Sequence, residues 1–352
     1  MKPPSRWKPF LLVTTVVGLC SSAQAQISFT LADLPSASGD YYRAYATTGS
    51  VSFGSVGASG GPRRWDVSAP RYSDEIIKRM DIVPVADGGH GGVFSEAAYA
   101  QRLTSEGDSS QNWEYYQVTT SQGRLFYGAY DAIASPDCPE RVFAPPTPDL
   151  PAVIQFGQKW SRSTEWEDCY DIGFAVAPAH VRFEAQAEVD AYGILVLAGL
   201  GERPALRVNE LHTYVTTVYL PLFPPIDLTN CFREYYWLAP GIGKALDIVS
   251  AAQPTPPPAD FELASVFLRV FEARRPRDQP PQPVVDLLAR VSKGQLSLNW
   301  RTATNGTGYR VETLSSLSSS EWQSLAEPTS NAWSDAWSQG VTQRFYRVFV
   351  KP

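Results

Sequence analysis

From His180 to Asp190 the chain alternates without interruption. Val181, Phe183, Ala185, Ala187 and Val189 take one set of positions, and Arg182, Glu184, Gln186, Glu188 and Asp190 take the other. A period of two turns one set toward a core and the other toward water, so the segment predicts a strand. Tyr192-Gly193 then predicts a turn into Ile194–Leu197, and hence a hairpin. Leu206–Leu220 is rich in Val, Thr and Tyr, and its phase slips near Asn209–Leu211, which predicts a β-bulge. Trp113–Thr119, Arg124–Tyr130, Ala152–Phe156, Cys231–Leu238, Lys244–Ser250 and Phe261–Phe271 read as further strands. Short sequential strands with tight turns predict an antiparallel meander. Helix signals are few. Ser73 could cap a short helix with Asp74 and Glu75 at its start and Lys78 and Arg79 at its end, and Ser95 could cap Glu96–Leu103. The expected fold is therefore mainly β, a large meander or half-barrel-like sheet with a few short helices.

Two ends of the chain break this pattern. Lys2, Arg6 and Lys8 precede the apolar run Phe10–Leu19, and Ala23-Gln24-Ala25 supplies small residues before a cut at Gln26. Residues 1–25 thus predict a secretory signal peptide and an exported, extracellular or periplasmic protein. The run is too short to span a bilayer, which takes about 20 apolar residues, and no later stretch is long enough. Near the other end, Arg274–Pro283 (RRPRDQPPQP) has no apolar side chain and favours extended structure, so it predicts a stiff linker. The organisation expected is a signal peptide (1–25), an antiparallel β domain (26–273), a linker (274–283) and a small β-sandwich (284–352).

That last region carries L-S-L-N-W at Leu296–Trp300, G-Y-R-V-E at Gly308–Glu312, E-W-Q-S-L at Glu321–Leu325 and R-F-Y-R-V at Arg344–Val348. In this order the motifs resemble the fibronectin type III-like modules that end many exported bacterial proteins. The resemblance implies an accessory, non-catalytic β-sandwich over the last fifth of the chain. A full module of that kind carries one more strand than follows Phe345–Val350. Tyr236–Ile248 (YWLAPGIGKALDI) is similar to the aromatic-then-GxG turn of exported antiparallel-sheet proteins, half-barrel carriers among them, a likeness that carries no function across.

Composition sharpens the picture. Of 352 residues 43% are hydrophobic and 12% aromatic, enough for a substantial core. The net charge is −6, and it becomes more negative once three basic residues leave with the signal peptide, so nucleic acid is not an expected partner. After export, Cys138, Cys169 and Cys231 remain, allowing one disulfide and one free thiol. Three pairings are open; Cys138 with Cys169 closes the shortest loop.

Candidate chemistry is sparse. Gly57-Ala58-Ser59-Gly60-Gly61 matches G-x-S-x-G, but Pro62 and two arginines follow where a nucleophile elbow needs a helix. His90 sits between glycine pairs, far in sequence from His180 and His212, and no CxxC occurs, so no metal set is evident. No P-loop, dinucleotide fingerprint or HExxH appears, and no cofactor is expected. Glu165, Glu167, Asp168 and Asp171 cluster around Trp166 and Tyr170 in what reads as an acidic loop; paired carboxylates could serve a hydrolase. Trp166, Trp333 and Trp337 are the candidate ligand-stacking side chains, whereas Trp300 alternates with leucines and reads as core. The expectation is a non-enzymatic exported binding protein for an envelope glycan, an extracellular polymer or a protein. The alternatives are a periplasmic carrier holding a lipid in a curved sheet and a secreted hydrolase using the 165–171 cluster.

Overall fold

The computed structural model describes residues 27–109, 111–131, 137–275, 282–283, 286–292, 295–301, 308–314, 322–336 and 345–351. The segment expected to direct export (1–25), most of the expected linker and Trp337 lie outside them. Sixteen strands precede the linker: β1 (Ser28–Thr30), β2 (Tyr41–Thr47), β3 (Val51–Ser52), β4 (Gly60–Val67), β5 (Glu75–Pro84), β6 (Tyr99–Ser105), β7 (Asn112–Thr119), β8 (Gly123–Tyr130), β9 (Glu140–Leu150), β10 (Val153–Gln155), β11 (Lys159–Asp171), β12 (Val176–Leu197), β13 (Gly201–Val218), β14 (Ile226–Ala239), β15 (Gly243–Ser250) and β16 (Leu263–Arg274).

Twelve of them form a closed antiparallel barrel, in the order β11-β9-β8-β7-β6-β5-β2-β16-β15-β14-β13-β12. The ring closes because β11 pairs with β12 from Lys159↔Glu188 to Asp171↔Val176, and with β9 at Glu165↔Ala144. The expected half-barrel is thus a complete one. Closure satisfies the hydrogen-bonding groups that an open sheet would leave at its two long edges.

The alternation on β12 sorts as anticipated, with Val181, Phe183, Ala185, Ala187 and Val189 buried and Arg182, Glu184 and Gln186 exposed. Gly193, however, is not in a turn. β12 continues through it, and the break in pattern is a bulge at Asp190, between the pairs Val189↔Val208 and Ala191↔Arg207. The extra residue reverses the sheet face. Ala187 and Val189 pack with Phe29, Leu34, Leu150 and Tyr236, where the N-terminal segment enters the barrel; Leu195 and Leu197 pack outside, with Trp237 and Leu246. The phase slip expected at Asn209–Leu211 therefore belongs to the neighbouring strand.

Beyond the bulge, β12 outruns β11, and β4 takes the vacated side in parallel, from Ala191↔Gly60 to Leu197↔Val67. This approach explains Gly193: a Cβ there would stand 1.9 Å from the Arg63 carbonyl oxygen. β3 joins β16, and β1 joins β10 in a separate pair.

Neither expected helix forms. Residues 75–84 and 99–105 are wall strands β5 and β6, and the helical turns among the described residues are two short 3-10 turns, Leu31–Asp33 and Val85–Asp87. Capping chemistry at Ser73 is outweighed by cross-strand pairing, and Glu75 is buried against Arg269 rather than exposed at a helix start.

After the linker come β17 (Gln282–Pro283), β18 (Leu288–Ser292), β19 (Gln295–Asn299), β20 (Gly308–Leu314), β21 (Gln323–Ala326), β22 (Ala332–Ala336) and β23 (Phe345–Lys351). They form a four-stranded sheet, β17-β23-β20-β21, and a three-stranded sheet, β18-β19-β22. Leu296, Leu298 and Trp300 from one side and Tyr309, Val311 and Val348 from the other make a common apolar cluster.

Candidate functional site: an outer groove and a charged lumen

The acidic cluster at 165–171 is not a loop. It lies on β11, and alternation sends its carboxylates to opposite faces. Glu165 and Glu167 point out and flank His180 at 3.5 and 3.0 Å. Asp168 points inward, accepts the Trp166 indole N–H at 3.1 Å and lies 3.4 Å from Arg141. Trp166 is 8% exposed and packs among Phe143, Val181, Phe183 and Tyr214. Its surface is therefore not displayed to a ligand. Trp333 is half-buried beside Tyr346, and Trp300 is core. Cys138 and Cys169 are joined by a disulfide, and Cys231 is a buried free thiol.

The G-x-S-x-G segment is strapped to the barrel wall. The Arg207 guanidinium, 1% exposed, donates to the carbonyls of Val56, Gly57 and Ala58 and grips Asp190 at 2.8 and 2.9 Å. Those carbonyls satisfy the guanidinium donors that Asp190 leaves over, so the glycine-rich stretch serves as an acceptor strip. His90 is likewise occupied, stacking on Tyr130 and meeting Glu140 at 3.2 Å.

Between this excursion and the outer wall lies a groove of about 680 Å³. Its sides are Phe53, Trp65, Tyr72 and Phe267, and its floor is Trp237 and Leu246. Asp66, Ser73 and Asp74 bring polar groups to the rim. Trp65 meets Trp237 edge-on at 5.7 Å. Trp237 is 1% exposed, and its indole N–H has no hydrogen-bond partner among the described residues. Ser68 donates to Asp66 through its hydroxyl and its backbone, and both bonds lower the pKa of that carboxyl, so it stands ionised at the rim. Sequence reading missed this groove because its aromatics come from strands and connecting segments that lie far apart in the chain.

The lumen is different in kind. Arg124 and Asp149 form a buried fork at 2.6–3.1 Å, with the guanidinium over the Tyr116 ring. Glu114 accepts from the Tyr116 hydroxyl at 2.9 Å; burial pushes its pKa up, against that bond and Arg124. Farther round the wall, Arg162 holds Glu210 at 2.7 Å and Lys244 holds Glu234 at 2.6 Å. Burial works to raise the Glu234 pKa, but the Lys244 ammonium and His212 override it and hold the carboxylate well below its usual range. Asp247 is driven well up by burial and by the Glu234 charge beside it. A cavity of about 270 Å³ runs among Glu114, Arg124, Asp149, Arg162, Lys244 and Asp247. Pairing of β13 with β14 also brings Glu210, His212 and Glu234 together, a set with potential metal-ligand atoms within 4.8 Å of one another. Glu210 and His212 stand two apart on β13, a spacing that a strand reading could have flagged; Glu234 could be placed opposite them only once the pairing was known.

No protein-family model matches the chain, and no curated protein matches it significantly. The function is therefore inferred from the two sites themselves.

Proposed function

We propose that this is an exported, non-catalytic binding protein whose outer groove takes a glycan. The observation that carries the reading is the groove itself: four aromatic side chains, Phe53, Trp65, Tyr72 and Phe267, wall a space of about 680 Å³ on the outer face of the barrel. Aromatic faces accept the C–H surface of a sugar ring, and the rim hydroxyls and carboxylates of Ser73, Asp66 and Asp74 suit its hydroxyl groups. Export through residues 1–25 and a terminal fibronectin type III-like module fit a protein that works outside the cell. In support of that module, β17 lies beside β23, at the edge where the resemblance leaves one strand wanting.

The carrier reading draws less support. A lipid tail in the lumen would face Glu114, Arg124, Asp149, Arg162, Lys244 and Asp247, and burying it there would deprive those groups of polar neighbours. The hydrolase reading draws less again, because the 165–171 carboxylates diverge across a strand.

Glycan arrays and pull-downs with insoluble polysaccharides test the proposal. The parent chain binds one polysaccharide class, and Trp65→Ala binds it about tenfold more weakly, the loss of one ring contact, with its circular dichroism unchanged. No binding by either assay, or equal binding by Trp65→Ala, overturns it.

A further inference from the structure

We propose that Glu210, His212 and Glu234 form a divalent transition-metal site inside the barrel, with zinc the best match to the donors. Glu210 and Glu234 are directly opposite on β13 and β14, and His212 is the next lumen-facing residue on β13. All three are buried, at 0, 4 and 7% exposure. His212 Nε2 lies 2.9 Å from Glu234 Oε2 and 3.9 Å from Glu210 Oε1.

Two observations beyond proximity point to a ligand. The first is unspent donor capacity. His212 Nδ1 has no hydrogen-bond partner among the described residues, and Glu210 Oε2 has none either, while His212 Nε2 meets only the Glu234 carboxylate. A buried imidazole and a buried carboxylate oxygen left under-bonded are costly, and an ion shared by Nε2 and the two carboxylates would remove much of that cost. The second is the way the carboxylates are held. Arg162 takes Glu210 Oε1 and Lys244 takes Glu234 Oε1, so each cation fixes one oxygen and leaves the other. Outer partners that orient ligating carboxylates in this manner are a regular part of metal sites.

Donor type and surroundings agree. Around the cluster, Arg124, Arg162 and Lys244 face Glu114, Asp149, Glu210, Glu234 and Asp247. One histidine and two carboxylates suit zinc, manganese or ferrous iron, and zinc bonds of about 2.0–2.1 Å ask the His212–Glu234 contact to widen slightly and the His212–Glu210 contact to shorten. Three protein donors leave a fourth tetrahedral position for water. The rings of Phe232, at 4.5 Å, and Phe183, at 5.6 Å, hold the imidazole in place.

The test uses the purified chain stripped with chelator and titrated with Zn2+ alone. The surface cluster Glu165–His180–Glu167 has a similar donor set and serves as the control. The expected result is about one tightly held ion per chain, retained in His180→Ala and weakened at least about a hundredfold in His212→Ala. Should His212→Ala fail to fold, Glu210→Gln replaces it, and Co2+ added to the parent reports directly through tetrahedral absorption bands. Failure of the parent to bind Zn2+, or binding that His180→Ala abolishes and His212→Ala leaves intact, overturns the proposal.

Discussion

Arg269 and Glu75 are 194 positions apart in the chain and 2.8 Å apart in the fold, with side chains 2% and 0% exposed. Arg269 also donates to the carbonyls of Val67, Ala69 and Pro70, and its guanidinium lies over the rings of Tyr45 and Tyr72. One side chain thus ties two wall strands to the segment that borders the outer groove. Removing one member of a buried pair strands the other's charge, at a cost of about 3–5 kcal/mol. Arg269→Met is expected to lose stability of that order in urea denaturation, and adding Glu75→Gln to it should restore part of the loss. A single variant as stable as the parent would show that the pair does not hold this corner.

Gly193 makes the groove depend on a distant backbone contact. Gly193→Ala places a Cβ against the Arg63 backbone, so β4 has to move, and β4 carries Trp65. The expected outcome is a destabilised chain with weakened polysaccharide binding, although residue 193 does not line the groove. Binding and tryptophan fluorescence, measured together, check it.

Glu114 predicts a pH dependence. Burial raises its folded pKa above the unfolded value of about 4.3, against the Tyr116 and Arg124 contacts. A raised carboxyl supports folding fully below the unfolded value, and that support is lost as pH climbs through the folded value. Glu114→Gln cannot ionise and escapes the loss. Relative to the parent, its urea midpoint should therefore rise from pH 4 toward pH 8. A constant difference across that range would place the raised carboxyl elsewhere.

The Cys138–Cys169 disulfide spans 31 positions and joins the segment before β9 to β11. Chain-entropy reasoning gives such a loop about 3–4 kcal/mol. The Cys138→Ala/Cys169→Ala chain should lose stability of that order. Cys231, 3% exposed, gives the accompanying readout: it should resist thiol reagents until the barrel opens.

Strand content and the alternation of β12 were legible because a half-buried strand writes its two faces directly into the residue order. The bulge at Asp190 was not: its single extra residue keeps odd positions apolar on both sides while reversing the face they serve. The caps at Ser73 and Ser95 misled because local end chemistry is weak against ten residues of ladder pairing. Closure of the ring and the walls of the outer groove depend on pairings between distant strands, such as Leu268↔Ala46 and Leu195↔Trp65, which no local pattern encodes.

A ring has no ends, yet β4 gives this one an end. Having joined β12, it turns its far side outward and is the last strand in the sheet order among the described residues. Pro62 there offers no N–H, and Arg63 and Arg64 are exposed beside it. An incoming strand would meet a missing donor and the exposed Arg63 side chain, beside an Arg64 already paired with Glu202, which guards this margin against stacking chain upon chain into fibrils.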